Sequence, residues 1–262
     1  MFKDKEFVYI INMPLIFFSI ILFAILFAIL LNTSLNNFID ALFSNEVLFS
    51  ATLSLKTSII AILFSLLVGV PSGYSLARFK FRGKELLDSL IHIPILLPPL
   101  VLGFGLLLFL GNTIFGKWIS NNLINFLFNP TGIVLAQFII ATPFIIKTTR
   151  AIFENIDIKY EYIAQSLGLS RWETFLKVTL PMAKSGILAG IVLGWARAIG
   201  EFGATLMIAG AIKMKTETLP IAIFLNFSIC NINLALCIAI IHIIIAIFVI
   251  LLIKLILSYK WC

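Results

Sequence analysis

Charge is the scarcest ingredient of this 262-residue chain. Only 12% of its residues are Asp, Glu, Lys or Arg, against about a quarter in soluble domains, while 61% are hydrophobic. With a mean hydropathy of +1.12, that excludes a water-soluble enzyme, a disordered chain and a collagenous one. Cysteine and histidine are nearly absent. The three cysteines, Cys230, Cys237 and Cys262, form no C-x-x-C pair, and two isolated histidines cannot complete a metal site. The cysteines read as free apolar side chains, with a Cys230–Cys237 disulfide open only if their loop faces an oxidising compartment. No cofactor is expected. Acids are scarcer than bases, for a net charge of +7, but charge this dilute carries topology rather than a nucleic-acid footprint.

Long apolar runs are what the chain has instead. A bilayer core about 30 Å thick takes roughly 20 apolar residues per helix, because unpaired backbone amides are too costly in hydrocarbon. Six stretches qualify: Met13–Leu31, Ala51–Ala77, Leu90–Leu110, Phe126–Ile146, Gly186–Ile212 and Leu234–Ile253. The expected class is an all-α membrane protein with six transmembrane helices. MFKDKEF precedes the first run, which has no small-residue cleavage site after it and reads as a retained anchor. With the N-terminus inside, the cytoplasmic side collects Lys3 and Lys5, the cluster from Arg78 to Lys84, the bases between Lys147 and Lys184, and Lys254 and Lys260. Outside fall Lys117, Lys213 and Lys215, and Lys56 and Arg197 sit within spans. The asymmetry puts both termini in the cytoplasm.

The segment 147–184 is the one long cytoplasmic loop of that topology. Tyr160 to Gly168 and Ser170 to Val178 each read as a short helix, with Ser170 and Glu173 at capping-box spacing and Gly168 supplying the turn. A helix–turn–helix on a membrane surface serves to touch another protein, the alternative being a solvated connector.

That loop reads EYIAQSLGLSRWETFLKVTLP, and it resembles the membrane subunits of type I ABC importers. Their signature runs Glu-Ala-Ala, three residues, Gly, nine residues, Ile, one residue, Leu-Pro. Anchored on Gly168, this chain supplies Ala164, Val178 in the Ile place, and Leu180 and Pro181. It departs at Tyr162, which stands in the Glu place behind Glu161, and at Ile163 in the first Ala place. The resemblance implies a coupling helix that docks on an ATPase subunit, with Glu161, Ala164, Gly168, Leu180 and Pro181 as its coupling residues. Gly194 to Phe224 and Pro71 to Leu107 further resemble the permeases of molybdate transport, with a departure at Ala211 to Lys215.

Arg197 and Glu201 need separate weight. An ionisable residue at membrane depth costs at least a few kcal/mol unless paired or hydrated, and at i and i+4 these two can neutralise each other. Arg197, Gly200, Glu201 and Gly203, with Thr205, are candidates for an oxyanion pathway or gate. The alternative is a structural ion pair locking two spans or two subunits. Gly186, Gly190 and Gly194 repeat every four residues and permit close helix approach, for general packing or for a homodimer seam; Gly69 and Gly73 flank Pro71 in the same way. Pro94, Pro98 and Pro99 can break the third span. GNTIFGKW, Gly111 to Trp118, imitates a phosphate-binding loop but has Trp118 where Ser or Thr is required, so no ATP site is expected. His92 and His242 read as packed histidines, and Trp118, Trp172, Trp195 and Trp261 as residues near membrane interfaces or a span end.

Together the resemblance implies a type I ABC importer permease fold and a multi-pass subunit of a prokaryotic cytoplasmic membrane. It implies a homodimer, two cytoplasmic ATPase subunits that hydrolyse the ATP, and an extracytoplasmic binding protein delivering molybdate. Tungstate, sulfate or thiosulfate is the alternative cargo, and an ion-coupled secondary transporter the alternative mechanism. The expected domains are 1–48, an N-terminal tail, helix and external loop; 49–254, the permease core with its coupling loop; and 255–262, a cytoplasmic tail.

Overall fold

The computed structural model describes the backbone of residues 2–258 and the side chains of residues 7, 9–249 and 251. Trp261 and Cys262 lie outside the described residues, as do the side chains of Lys3, Lys5, Lys254 and Lys260. Every element within that range is helical.

The helix α1 (Phe2–Leu31) is, from Tyr9 to Leu31, apolar on all sides and almost entirely uncovered by the rest of the chain, as a lipid-facing helix must be. Then α2 (Leu35–Leu42) leads to α3 (Asn45–Arg78), whose first turn is capped by the Ser44 hydroxyl accepting from the Val47 amide. At about 1.5 Å per residue, 34 residues reach about 50 Å, so α3 overruns an apolar slab about 30 Å thick at its ends.

The third apolar stretch is not one straight span. α4 (Lys84–Leu96) and α5 (Pro99–Asn112) meet at 111°. Pro98 and Pro99 offer no amide to the helix, and Leu97 before them is extended, with φ −77° and ψ 143°. The phosphate-loop imitation folds as the end of α5 and α6 (Ile114–Asn122), capped by Thr113.

α7 (Pro130–Asn155) starts at Pro130 with Asn129 in the cap position, and it runs nine residues past the expected end at Ile146. Then come α8 (Lys159–Ser166), α9 (Arg171–Thr174), a π-helical stretch (Phe175–Thr179), α10 (Leu180–Met182) and α11 (Lys184–Ile199). The segment Arg171–Met182 meets α11 at 71°. The fifth apolar stretch also breaks: α11 ends at Ile199, the chain turns through Gly200 to Phe202, and α12 (Gly203–Ala209) closes at Gly210, whose φ of +74° suits glycine. α13 (Leu219–Ser228) and α14 (Ile232–Ser258) complete the chain. Among the described residues, four helices are long and apolar enough to cross a membrane alone, and two bent pairs bring the number to six.

The core is built on α7. A Cβ on Gly73 would collide with Thr149 Oγ1, and one on Gly69 would lie 2.6 Å from Ile145 Cγ2. From the other side, Cβ atoms on Gly186 and Gly194 would come within 2.5 Å of Ile152 and 2.9 Å of Ile145. Both small-residue stripes therefore face α7 of the same chain, so the seam imagined for a second copy is filled from within. Trp195 is buried and donates to Ser58 Oγ at 3.1 Å, which moves it from the expected interface into the core. Cys230 is exposed and Cys237 buried, both as free thiols.

Candidate functional site: the loop between α7 and α11

The loop folds back on the C-terminal end of α3. Gly168 takes a φ of +93° after α8, as a tight reversal requires. Ser170 then caps α9: its hydroxyl accepts from the Glu173 amide, while the Glu173 carboxylate accepts from the Ser170 amide. Lys177 donates to Glu173 at 2.9 Å. That lysine first, and Ser170 next, hold the Glu173 carboxyl down at about 2.

The faces of α8 differ sharply. Tyr162 and Ile163 are each 58% exposed and Leu167 81%, and Trp172 at the start of α9 is 69% exposed. Glu161 and Ala164 face inward and are buried. Arg78 Nε donates to Glu161 Oε1 at 2.8 Å, the Tyr74 hydroxyl donates to Oε2 at 2.9 Å, and an Arg78 terminal nitrogen donates to the Ile156 carbonyl at 2.7 Å. A cleft of about 680 Å³ opens beside this cluster, with Arg171, Trp172 and Phe175 on its wall. Leu180 packs on the buried group of Phe153, Ile156, Phe175 and Ala183, whereas Gly168 and Pro181 are exposed. Arg78 and Tyr74 were not among the sequence candidates. Arg78 counted there as one more cytoplasmic base, and its partner is 83 residues away.

The second candidate group assembles where both helix breaks meet. Gly203 sits against Pro99 and Leu100 at the start of α5, and a Cβ on Gly103 would lie 2.6 Å from Ala204 Cα. Arg197 reaches Glu201 at 2.7 Å within the same chain segment, so the pair does not join two spans of the described chain. Glu201 is 1% exposed and accepts from the Ala204 amide, closing the first turn of α12. Arg197 keeps 31% of its side chain exposed. Gly200 is exposed beside it, and Thr205 is buried. His92 is bound locally, its Nδ1 at 2.6 Å from the Asp88 carbonyl, and His242 is half-buried. Among the described residues, no three of His, Cys, Asp and Glu gather as metal ligands.

A further polar group, missed in the sequence, lies at the far end of α3. Glu46 pairs with Lys213 and accepts from Asn226 at 2.6 Å, and buried Glu217 accepts from the Met214 amide at 2.8 Å. Burial, and then the nearby Glu46, push the Glu217 carboxyl up.

Residues 69–259 match the family of binding-protein-dependent transport system inner membrane components. The chain belongs to this family. It is 41% identical over 174 residues to the molybdenum transport system permease protein ModB of Haemophilus influenzae, covering 66% of this chain and 76% of that one. It is 34% identical over 182 residues to the sulfate transport system permease protein CysT of Escherichia coli, covering 69% and 66%. Its fold is that of a chain in the crystal structure of a bacterial alginate ABC transporter in complex with an alginate pentasaccharide-bound periplasmic protein. That match has a TM-score of 0.76 at 17% identity, over 96% of this chain and 93% of the other. As a member of this family the chain is a multi-pass membrane protein with the type I importer permease architecture. The matched range takes in the loop, both helix breaks and the C-terminal end of α3 from Gly69 to Arg78.

Proposed function

We propose that the chain is the membrane-spanning subunit of an ATP-driven importer of molybdate. It works as a homodimer, with two cytoplasmic ATPase subunits that hydrolyse the ATP and an extracytoplasmic protein that delivers the oxyanion. The observation that carries the reading is the two-faced α8 and the turn that follows it: outward Tyr162, Ile163 and Leu167, with Trp172 of α9, backed by a buried ion pair from Glu161 to α3. A large apolar row exposed on a polar loop marks a protein contact. Ala164 and Gly168 keep α8 short and closely packed, Glu161 fixes it from behind, and Leu180-Pro181 directs the chain into α11. The orientation that suits this puts both termini and the loop in the cytoplasm, with the core at 49–254.

Arg197, Gly200, Glu201 and Gly203 are assigned to the translocation route or its gate. There a partly exposed guanidinium is paired to Glu201, which caps the start of α12, while Gly203 packs against the start of α5. A site that releases its cargo gains from Glu201, which shares the arginine and keeps anion binding weak. The higher identity to the molybdenum permease, 41% against 34% for the sulfate permease, favours molybdate as cargo.

The test is uptake into vesicles holding this chain with its ATPase and binding protein. ATP-dependent molybdate uptake blocked by tungstate and not by sulfate supports the reading. Equal block by sulfate moves the cargo to that oxyanion, and uptake driven by an ion gradient without the ATPase overturns the coupling role.

A further inference from the structure

We propose that Glu161, Arg78 and Tyr74 form a strut that carries displacement of the coupling loop directly into α3. This rests on the import reading above and assigns Glu161 a different task from its exposed neighbours. Both carboxylate oxygens of Glu161 are taken by α3: Oε1 by Arg78 at 2.8 Å and Oε2 by Tyr74 at 2.9 Å. The same arginine holds the Ile156 carbonyl at 2.7 Å, where α7 ends. The last turn of α3, the end of α7 and the first turn of α8 are thereby fastened at one point.

Burial makes the joint stiff. The side chains of Arg78 and Glu161 are 8% and 6% exposed. Little water reaches such a pair, and any slip leaves a charge largely buried without its partner. The other way out of the loop is more compliant. From α9 the chain passes a π-helical stretch, in which the regular ladder is interrupted, and then a 71° bend before α11. Of the two exits, the one through Arg78 has the shorter and more constrained path.

α3 then delivers the displacement to the opposite end of the molecule. It runs unbroken for 34 residues, and near its start the Ser54 hydroxyl accepts from the Leu219 amide, the first residue of α13, at 2.8 Å. Glu46 on its first turn pairs with Lys213 in the loop before α13. A push on α8 therefore reaches 213–219 through one continuous helix, which holds its course past Pro71 by packing against α7 at Gly69 and Gly73. Residues on the outward face of α8, Tyr162 among them, hold the partner; Glu161 transmits what the partner does.

The experiment reconstitutes the whole transporter in vesicles and measures molybdate imported and ATP hydrolysed in the same sample, with ATPase co-purification as the measure of assembly. Glu161→Gln is expected to keep the ATPase bound while the ATP spent per molybdate rises about tenfold, the scale of an ordinary coupling free energy. Tyr74→Phe keeps the ion pair and loses one hydrogen bond, for a rise of about two- to threefold at intact folding. Exchanging the charges, Arg78→Glu with Glu161→Arg, is expected to bring the ratio back toward the wild-type value. Tyr162→Ala is expected to lose bound ATPase instead. If Glu161→Gln and Tyr74→Phe lower import and hydrolysis in proportion, or leave the ratio untouched, the strut is refuted and Glu161 is a packing residue. Failure of the unaltered transporter to import molybdate with ATP would refute the import reading itself.

Discussion

α3 is held at each end by a glutamate paired with a base, and the ends differ in how much water reaches them. At its C-terminal end Arg78 and Glu161 are nearly dry, at 8% and 6% exposure. At its N-terminal end Glu46 is 13% exposed but Lys213 is 62% exposed. A buried pair must keep its geometry, because separating it strands a charge. A wet pair yields readily, since water and salt replace either partner for about 1 kcal/mol or less. The loop end of α3 is thus a fixed joint. The far end is held by an adjustable contact, and what fixes it further is the buried hydrogen bond from the Leu219 amide to Ser54.

The largest effect that could break this contrast is expected from Arg78→Ala. It leaves the Glu161 carboxylate buried with the Tyr74 hydroxyl alone, and removing one member of a buried pair costs about 3–5 kcal/mol. Thermal unfolding of the purified chain in detergent reads it. A loss under about 1 kcal/mol would make the loop joint no firmer than a surface pair. Next in size is Ser54→Ala at the other end, which strips the acceptor from the fully buried Leu219 amide for about 1–3 kcal/mol. A larger loss there than from Arg78→Ala would reverse the ranking of the two ends.

Much of this was legible in the residues, for a physical reason that also marks its limit. Local rules act over a few residues, so the Ser170–Glu173 capping box, the turn at Gly168 and the i, i+4 approach of Arg197 and Glu201 follow from spacing alone. The proline cluster announces a break, and α4 and α5 diverge there. What spacing does not carry is contact between distant segments. Arg78 and Glu161 are 83 residues apart, and Asn226 and Glu46 are 180 apart, so neither joint has a local signature. The glycine stripe of α11 is legible as a close-packing face, but nothing in it names α7 as the partner. The outward row of α8 was hidden in another way. Tyr162 and Ile163 look like departures from a family signature until burial shows that they face outward while Ala164 faces in.

The smallest expected effect is also the one that separates the ends by sign. At the loop end the Glu173 carboxyl is held at about 2 in the folded chain, below its ordinary 4.5, by Lys177 and Ser170. Its contribution is present above 4.5 and is lost as pH falls from there toward about 2. At the far end Glu217 has the opposite shift, raised above 4.5 by burial and by the neighbouring Glu46, with the Met214 amide and then Lys213 opposing. Folding there favours the protonated acid, so the contribution is complete below 4.5 and is lost as pH rises through the raised value. Hydrogen exchange, corrected for its intrinsic pH dependence, reads both ends in one experiment. The Met214 amide, which donates to Glu217, is expected to gain protection as pH is lowered through the raised Glu217 value toward 4.5, while the Glu173 amide holds steady. Below the ordinary carboxylate range the Glu173 amide should loosen while Met214 stays protected. Two amides moving together across both ranges would mean that α3 transmits one global opening. Its ends would then not be separate joints, and the fixed-against-adjustable contrast would fail.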